Sequence, residues 1–517
     1  MTKPNALRLV AVAAAIGTIA LTGCSAAKQP AASVASAASQ LNLAYLADMS
    51  TPDPDVFYDL EGDTVTQSVY EGLLRYAPNS TTLTPQLATA WTVSTDGLTY
   101  TFTIRSGVKF QDGTPLDAQA VITSFRRRLA VNAGPAYMLA PVSTMTATNP
   151  TTLVLKLKYR VRPFLDYLAS VWGPKIISPK ALADNAGTDH DQAWLSAHAV
   201  GTGPYQLTGF SKGSQYQLTR FDGYWGTAAK YKTVSIRILP DMNSQLLQLQ
   251  SGDLDAVLHS FPASQLPTVT ANKSLAVHEY PSFLTSLLYI NTHKAPFDNL
   301  ALRQQVAAAI NRDQLVQETY GQYGHAATSA YPPGLLTGAT APVSYPASTI
   351  KVSGSPKITL AYTAEESGVQ QRLADLMQQR LQAAGFQVTL QKVQLPVVYD
   401  YAKHLSTAPD LLIETNIPDA ASPDAWARLL WSSTGGGNFL GYANPQVDKL
   451  IDKGRSAATD AEAATSYAAA AQVVSSDVGM VFLANVDDVM VTKASLTGLQ
   501  HEPNYPWALD LAPLGPS

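Results

Sequence analysis

Ala88-Thr-Ala-Trp-Thr-Val-Ser-Thr-Asp-Gly-Leu-Thr-Tyr-Thr-Phe-Thr-Ile-Arg-Ser-Gly-Val-Lys-Phe-Gln-Asp-Gly113 is the stretch that places the chain. Trp91 and Val93 fall at period two ahead of Asp96-Gly97. Leu98, Tyr100, Phe102 and Ile104 resume the alternation beyond it, with Thr99, Thr101 and Thr103 on the other face. Asp-Gly between alternating β-rich runs predicts a hairpin with a primed turn, because Gly accepts the positive φ such a turn demands. Asp112-Gly113 makes a second turn. Asp117 then stands as the N-cap of a helix with Val121, Phe125 and Leu129 on one stripe.

The residues carry more than the pattern. Ala-x-x-Trp-x-x-Ser-x-Asp-Gly-x-x-Tyr-x-Phe-x-Ile-Arg-x-Gly-Val-x-Phe-x-Asp-Gly resembles the signature of the family 5 extracellular solute-binding proteins, the large peptide-type receptors of ABC importers. Three further stretches are similar to the same family: Val69-Tyr-Glu-Gly-Leu-Leu-Arg-Tyr76, Val200-Gly-Thr-Gly-Pro-Tyr205 with Arg220-Phe-Asp-Gly-Tyr-Trp-Gly226, and Gly441-Tyr-Ala-Asn-Pro-Gln-Val-Asp448. The resemblance runs from about residue 41 to 510. It implies an α/β, two-lobed periplasmic-binding-protein-like fold with a hinge and an additional subdomain in the first lobe. On the family's plan, lobe I is 41–77, 200–288 and 485–517, its subdomain 78–199, and lobe II 289–484. The hinge is expected near 286–291 and 484–489.

The N-terminus adds an address. Lys3 and Arg8 precede Leu9 to Leu21, an uncharged run of thirteen residues. As helix it would cover about 20 Å, short of the roughly 30 Å hydrocarbon core, so it reads as a signal-peptide h-region. Leu21-Thr-Gly-Cys24 looks like a lipobox, which makes residues 1–23 a lipoprotein signal peptide and Cys24 the lipidation site. Cys24 is the chain's one cysteine, so no disulfide is possible. Residues 24–40, mostly Ala, Ser, Gln, Lys and Pro, read as a disordered tether.

Composition limits the function. The formal net charge of the 517 residues is −4, and no basic footprint for nucleic acid is visible. His190 and His198 with Asp189 and Asp191 lack the spacing of a metal cluster and read as a solvated loop. Gly209-Phe-Ser-Lys-Gly213 satisfies the nucleophile-elbow pattern. The alternating run after it predicts a hairpin where an elbow needs a helix, so Ser211 is not assigned as a nucleophile.

The remaining pattern fills in the lobes. A helix is expected over Thr64 to Leu74, a strand over Thr152 to Leu157, and a helix capped by Pro296-Phe-Asp298. Lys357 to Tyr362, Glu366 to Ala384 and Phe386 to Val393 read as a βαβ unit, the helix ending at Gly385.

Candidate ligand residues come from the resemblance. Glu71, Gly72 and Leu73 occupy an element that lies at the cleft in peptide receptors and meets the ligand's main chain. Read without the family, Glu71 is a solvated helix residue and Gly72 a cap. Tyr137 falls where the family often carries a Pro-Tyr loop facing the cleft. Peptide receptors end a strand in Gly-Trp-x-x-Asp with Pro four residues on, and the aspartate pairs with the peptide's α-ammonium. Asp419 and Pro423 match, while Thr415-Asn416 replaces Gly-Trp. Asp419 otherwise reads as a turn residue or helix cap, as does Asp424. Gly437 and Asn438 lie in a glycine-rich loop whose backbone can approach a ligand.

The implied protein is a monomeric receptor, held to the bacterial cell membrane by lipidated Cys24, which captures peptides and delivers them to an ABC permease. It needs no cofactor, metal or catalytic residue. The Thr415-Asn416 departure leaves open a non-peptide solute, an oligosaccharide or metal chelate, and the competing class is an exported hydrolase of small ligands.

Overall fold

The computed structural model describes residues 40–258, 265–345, 351–363 and 368–517. The signal peptide, Cys24 and the tether as far as residue 39 lie outside the described residues, as do residues 366 and 367 of the helix expected from Glu366. Gln40, assigned to the tether, already pairs with Thr233 at the start of the first strand.

That strand, Gln40–Tyr45, runs parallel to Thr233–Ile238. Gln215–Arg220 and then Tyr205–Ser211 complete a four-stranded sheet. Residues 209–213 therefore enter a hairpin turn, with Ser214 N–H donating to Ser211 O, and no helix follows Ser211. A second, fully antiparallel sheet joins Ala88–Val93, Thr99–Ile104, Thr152–Leu157 and Val142–Asn149. Tyr100, Phe102 and Ile104 are buried on one face, as their alternation requires. The turn at Asp96-Gly97 is wider than expected. The ladder stops at Val93 opposite Tyr100, Ser94 N–H donates to Thr99 O, and of the turn residues Gly97 alone has positive φ. Asp96 Oδ1 accepts from Leu98 N–H and the Ser94 hydroxyl, which replaces the primed two-residue turn with a side-chain-braced loop. Asp117 caps Ala118–Val131 through Ala120 N–H.

The helix expected over 64–74 is Asp63–Val69. Tyr70 turns to extended backbone (φ −115°, ψ 150°), and Gly201 and Gly203 press so closely on the Ser68–Val69 carbonyls that no Cβ fits there. Asn299, not Asp298, caps Leu300–Ala309, through Ala301 N–H.

A six-stranded mixed sheet organises the rest: Gly324–Ala326, Met480–Val486, Thr285–Ile290, Leu411–Asn416, Lys357–Thr363 and Gln387–Val393, in that order. Its central strands are apolar at successive positions because both faces are covered. Leu288, Ile290, Leu411, Ile413 and Leu483 face a core shared with Leu373, Met377 and Leu381 of the helix Val369–Ala383. Leu287, Tyr289, Leu412, Met480 and Phe482 face a second core, with the helices Pro423–Trp431 and Asp460–Ser476. The expected βαβ unit is present, Lys357–Thr363 running parallel to Gln387–Val393.

Two chain segments connect this sheet to a three-stranded one made of Ala256–Val257, Asp488–Lys493 and Leu275–Tyr280. They cross side by side: Tyr280 pairs with Asp488 in one sheet, and Thr285 with Asn485 in the other.

Candidate functional site

A cavity of about 690 Å³ opens beside the end of the strand Leu411–Asn416. Its walls come from 47–61, Trp172, the Lys212 hairpin tip, 394–399, 414–419 and the loop 436–439. That volume is in the range of small-ligand sites.

The first wall is rigid because two arginines hold it from behind. Arg127 and Arg128, adjacent on the helix Ala118–Val131, both turn inward and are buried. Arg127 donates to Asp53 Oδ1 and Oδ2 (2.8 and 2.6 Å) and to Asp55 Oδ2 (2.7 Å). Arg128 donates to Asp55 Oδ1 and to the carbonyls of Pro54, Trp172 and Gly173. Burial raises the Asp55 carboxyl to about 6, against the pull of both guanidinium groups. The segment so fixed delivers Tyr58, whose ring meets Trp172 edge-on at 5.7 Å, while Trp172 Nε1–H donates to Asp59 O (2.9 Å).

Opposite stands Asp419. It is 4% exposed, and its Oδ2 accepts from the hydroxyls of Tyr58 (2.6 Å) and Tyr137 (2.5 Å). Tyr137 reaches it from a short 3₁₀ turn, Gly134–Met138. Burial lifts the Asp419 carboxyl to about 6, with the two tyrosine hydrogen bonds pulling it the other way. Among the described residues no basic side chain pairs with it. The backbone around it is tied to the same side: Ser170 Oγ donates to Asp419 O (2.6 Å), and Ala421 N–H to the Tyr76 hydroxyl (2.9 Å). Asp419 is no helix cap, since Ser422 caps Pro423–Trp431 through Ala425 N–H. Asp424 is no cap either. It is buried, accepting from the hydroxyls of Tyr167 (2.7 Å) and Tyr467 (3.0 Å) and from Arg428.

The structure thus brings Asp419, Tyr137 and Asn416 together. Asn416 lines the cavity and donates through Nδ2 to the Tyr289 hydroxyl (2.8 Å). Gly437 also lines it, packed so tightly on Leu429 that a Cβ would lie 2.9 Å from Leu429 Cγ.

Four expected residues stand elsewhere. Asn438 is buried behind the loop, with Nδ2 donating to Ser432 O and Tyr442 O and Oδ1 accepting from Tyr442 N–H, so its side chain is spent on the loop itself. Glu71, Gly72 and Leu73 do not line the cavity. Glu71 is neither solvated nor helical: its carboxylate accepts from Thr202, Tyr224 and Trp225, and its carbonyl from Ile176 N–H. Gly72 is not a helix cap, donating to Gln86 Oε1 and accepting from Leu87 N–H. Leu73 O accepts from Gln86 and Ala88 N–H. That backbone is committed to internal partners.

Sequence reasoning missed Tyr58, Asp59, Trp172, Glu414 and Phe439, all in the cavity wall. By pattern alone the acidic, proline-rich run Asp48 to Asp55 gives no more than a turn. The signal for its burial is the Arg127-Arg128 pair on the helix Ala118–Val131, whose buried guanidinium groups require carboxylate partners.

Among the described residues no group of three or more His, Cys, Asp and Glu side chains can hold a metal ion, and no helix is long and apolar enough to cross a membrane.

Known proteins resemble most of the chain. It is 29% identical over 452 residues to a probable D,D-dipeptide-binding periplasmic protein of Escherichia coli K12, covering 84% of this chain and 86% of that one. It is 32% identical over 307 residues to the glutathione-binding protein of Escherichia coli O1:K1, over 59% and 58% of the two chains. Among solved structures, the Helicobacter pylori binding protein DppA in complex with the peptide STSA superposes with a TM-score of 0.81 at 22% identity, over 92% of this chain and 98% of that one. The Campylobacter jejuni protein NikZ in complex with Ni(L-His) superposes with a TM-score of 0.80 at 19% identity, over 92% and 99%. These likenesses establish the two-lobed fold. Residues 82–438 match the family described as bacterial extracellular solute-binding proteins, family 5 Middle, and the chain belongs to that family.

Proposed function

We propose that this chain is the substrate-binding receptor of an ABC importer, taking up short peptides through their α-ammonium group. One observation carries the reading. Asp419 is a buried carboxylate in the wall of a small-ligand cavity, with one oxygen held by two tyrosine hydroxyls and, among the described residues, no cation beside it. A buried carboxylate is costly without a positive partner, and an α-ammonium is the partner a peptide brings. The names of relatives that bind dipeptides and glutathione agree with this choice. On the same reading lobe I is 41–77, 200–288 and 485–517, its subdomain 78–199 and lobe II 289–484. Ligand closes the lobes about the paired crossings, and a lipidated Cys24 holds the receptor at the membrane. Mass spectrometry of the mature N-terminus checks the last point.

The binding test is a double-mutant cycle by calorimetry. Asp419→Asn keeps shape and removes charge, and N-acetylation removes the ligand's charge. Each is expected to cost about 2–5 kcal/mol, roughly 30- to 5,000-fold in affinity, and both together much less than the sum. A wild-type protein indifferent to acetylation refutes the peptide reading and leaves a metal chelate or oligosaccharide as the solute.

A further inference from the structure

The cavity surface is largely apolar, and one aromatic part of it stands open. Of the large hydrophobic side chains that are strongly exposed among the described residues, Tyr399 alone lines the cavity, at 48% exposure. It follows the short helix Leu395–Val398, whose Leu395 and Pro396 line the cavity with it. The Tyr399 ring meets Phe439 edge-on at 5.6 Å, and Phe439 is tilted against Tyr289 at 5.4 Å. Phe439 and Tyr289 are both buried in the second core of the six-stranded sheet. Rings in edge and tilted contact hold one another in place, so Tyr399 presents an apolar face with a firm backing.

That face is close to the ammonium site. Burial holds the Tyr58 hydroxyl well above its ordinary range, and Asp419 and Tyr399 both add to the shift. The Tyr289 hydroxyl is raised by burial in the same way, with Glu414 and then Tyr399 adding to it. Such charge effects fade with distance, so the Tyr399 hydroxyl stands within electrostatic reach of both. Tyr58 donates to Asp419 (2.6 Å), and Tyr289 accepts from Asn416 Nδ2 (2.8 Å). Tyr399 therefore borders the two tyrosines that hold the candidate ligand residues of the strand end. Covering its open face with apolar atoms takes both surfaces out of water, which is favourable in proportion to the area removed. A hydroxyl or ammonium laid there loses hydration and gains no such return.

Resting on the peptide reading above, we infer that the cavity selects short peptides with apolar side chains near the free amino terminus, and that Tyr399, backed by Phe439, sets this preference by covering them.

The test is calorimetry at neutral pH with Leu-Leu-Ala, Ser-Ser-Ala and Lys-Lys-Ala, against the full-length protein and its Tyr399→Ser and Tyr399→Phe variants, with a thermal melt to verify folding. Leu-Leu-Ala is expected to bind wild type about tenfold or more tighter than the other two, the low end of what burying a leucine side chain yields. Its binding should also carry the more negative heat-capacity change, the mark of apolar burial. Tyr399→Ser is expected to bring the leucine and serine peptides within about threefold of each other, since the covering ring is gone. Tyr399→Phe keeps the ring and should keep the preference, which leaves the inference open to refutation should Tyr399→Ser not fold. Equal affinity for the leucine and serine peptides, tightest binding of Lys-Lys-Ala, a leucine preference that survives Tyr399→Ser, or one lost in Tyr399→Phe overturns the inference while leaving the peptide reading intact. Binding of none of the three, or equal binding of N-acetylated Leu-Leu-Ala, overturns both.

Discussion

Asp419 sits where a change of pH should act on binding directly. Its carboxyl is held near 6, so it is ionised at neutral pH and gains a proton as the pH falls through that value. An ammonium beside it favours the ionised form and lowers the carboxyl by about 2 pH units, to about 4 in the complex. Linkage then fixes the outcome. The affinity for trialanine should be flat above pH 7, fall through pH 6 and 5, and stand about 50-fold weaker at pH 4, a loss of about 2.3 kcal/mol. Asp59, near 7, titrates in the same cavity, so the measurement belongs in the Asp59→Asn background, with Asp59→Asn/Asp419→Asn alongside to supply the slope of the remaining groups. Tyr137→Phe adds an independent handle. The Tyr137 hydroxyl stabilises the charged carboxylate, so its removal should move the midpoint to higher pH while leaving the direction of the curve unchanged. Calorimetry at half-unit intervals between pH 4 and 7 reads both effects. An affinity that stays level across that range, or one that falls as steeply without Asp419, refutes the reasoning.

Two further expectations concern stability. Asp63 is 1% exposed, both its carboxylate oxygens lack hydrogen-bond partners among the described residues, and burial raises its carboxyl well above the ordinary value. The folded protein therefore holds that proton more tightly than the unfolded chain, and stability declines as pH rises above about 4. Asp63→Asn should raise the melting temperature more at pH 8 than at pH 4, and an equal gain at both would contradict the assignment. Arg127→Met strands Asp53 in the interior, leaves Asp55 to Arg128 alone, and should cost about 3–5 kcal/mol in urea unfolding. Adding Asp53→Asn and Asp55→Asn to it should recover part of that loss.

Local signals carried most of the fold. Alternation at Thr99–Ile104 and Thr152–Leu157 located strands because those residues have one buried and one open face. Asp117 located a helix start because its side-chain acceptor meets the Ala120 N–H three residues on. The misreadings arose where distant chain decided local shape. Residues 70–73 look helical by pattern, yet Gly203 N–H takes up the Val69 carbonyl, Gln86 Oε1 takes up the Gly72 N–H, and Gly201 packs against Val69, which together end the helix there. The site divided the same way. Asp419 was visible because motif and proline spacing marked it, while Tyr58 and Asp59 were not. Their place in the wall depends on an ion pair between Asp53 and Arg127, 74 residues apart in sequence.

The paired crossings also order the folding of the chain in time. The strand Asp488–Lys493 lies between Ala256–Val257 and Leu275–Tyr280, so that three-stranded sheet has no middle until the last tenth of the polypeptide has emerged. Everything from Thr285 to Val486, by contrast, draws its sheet partners from within that same span. Made from its N-terminus, the protein can finish the later-encoded body while the earlier one still waits for its central strand. A nested sequence therefore assembles from the inside outward. Nicks or truncations near residue 490 should leave a folded inner body attached to an unfinished outer one.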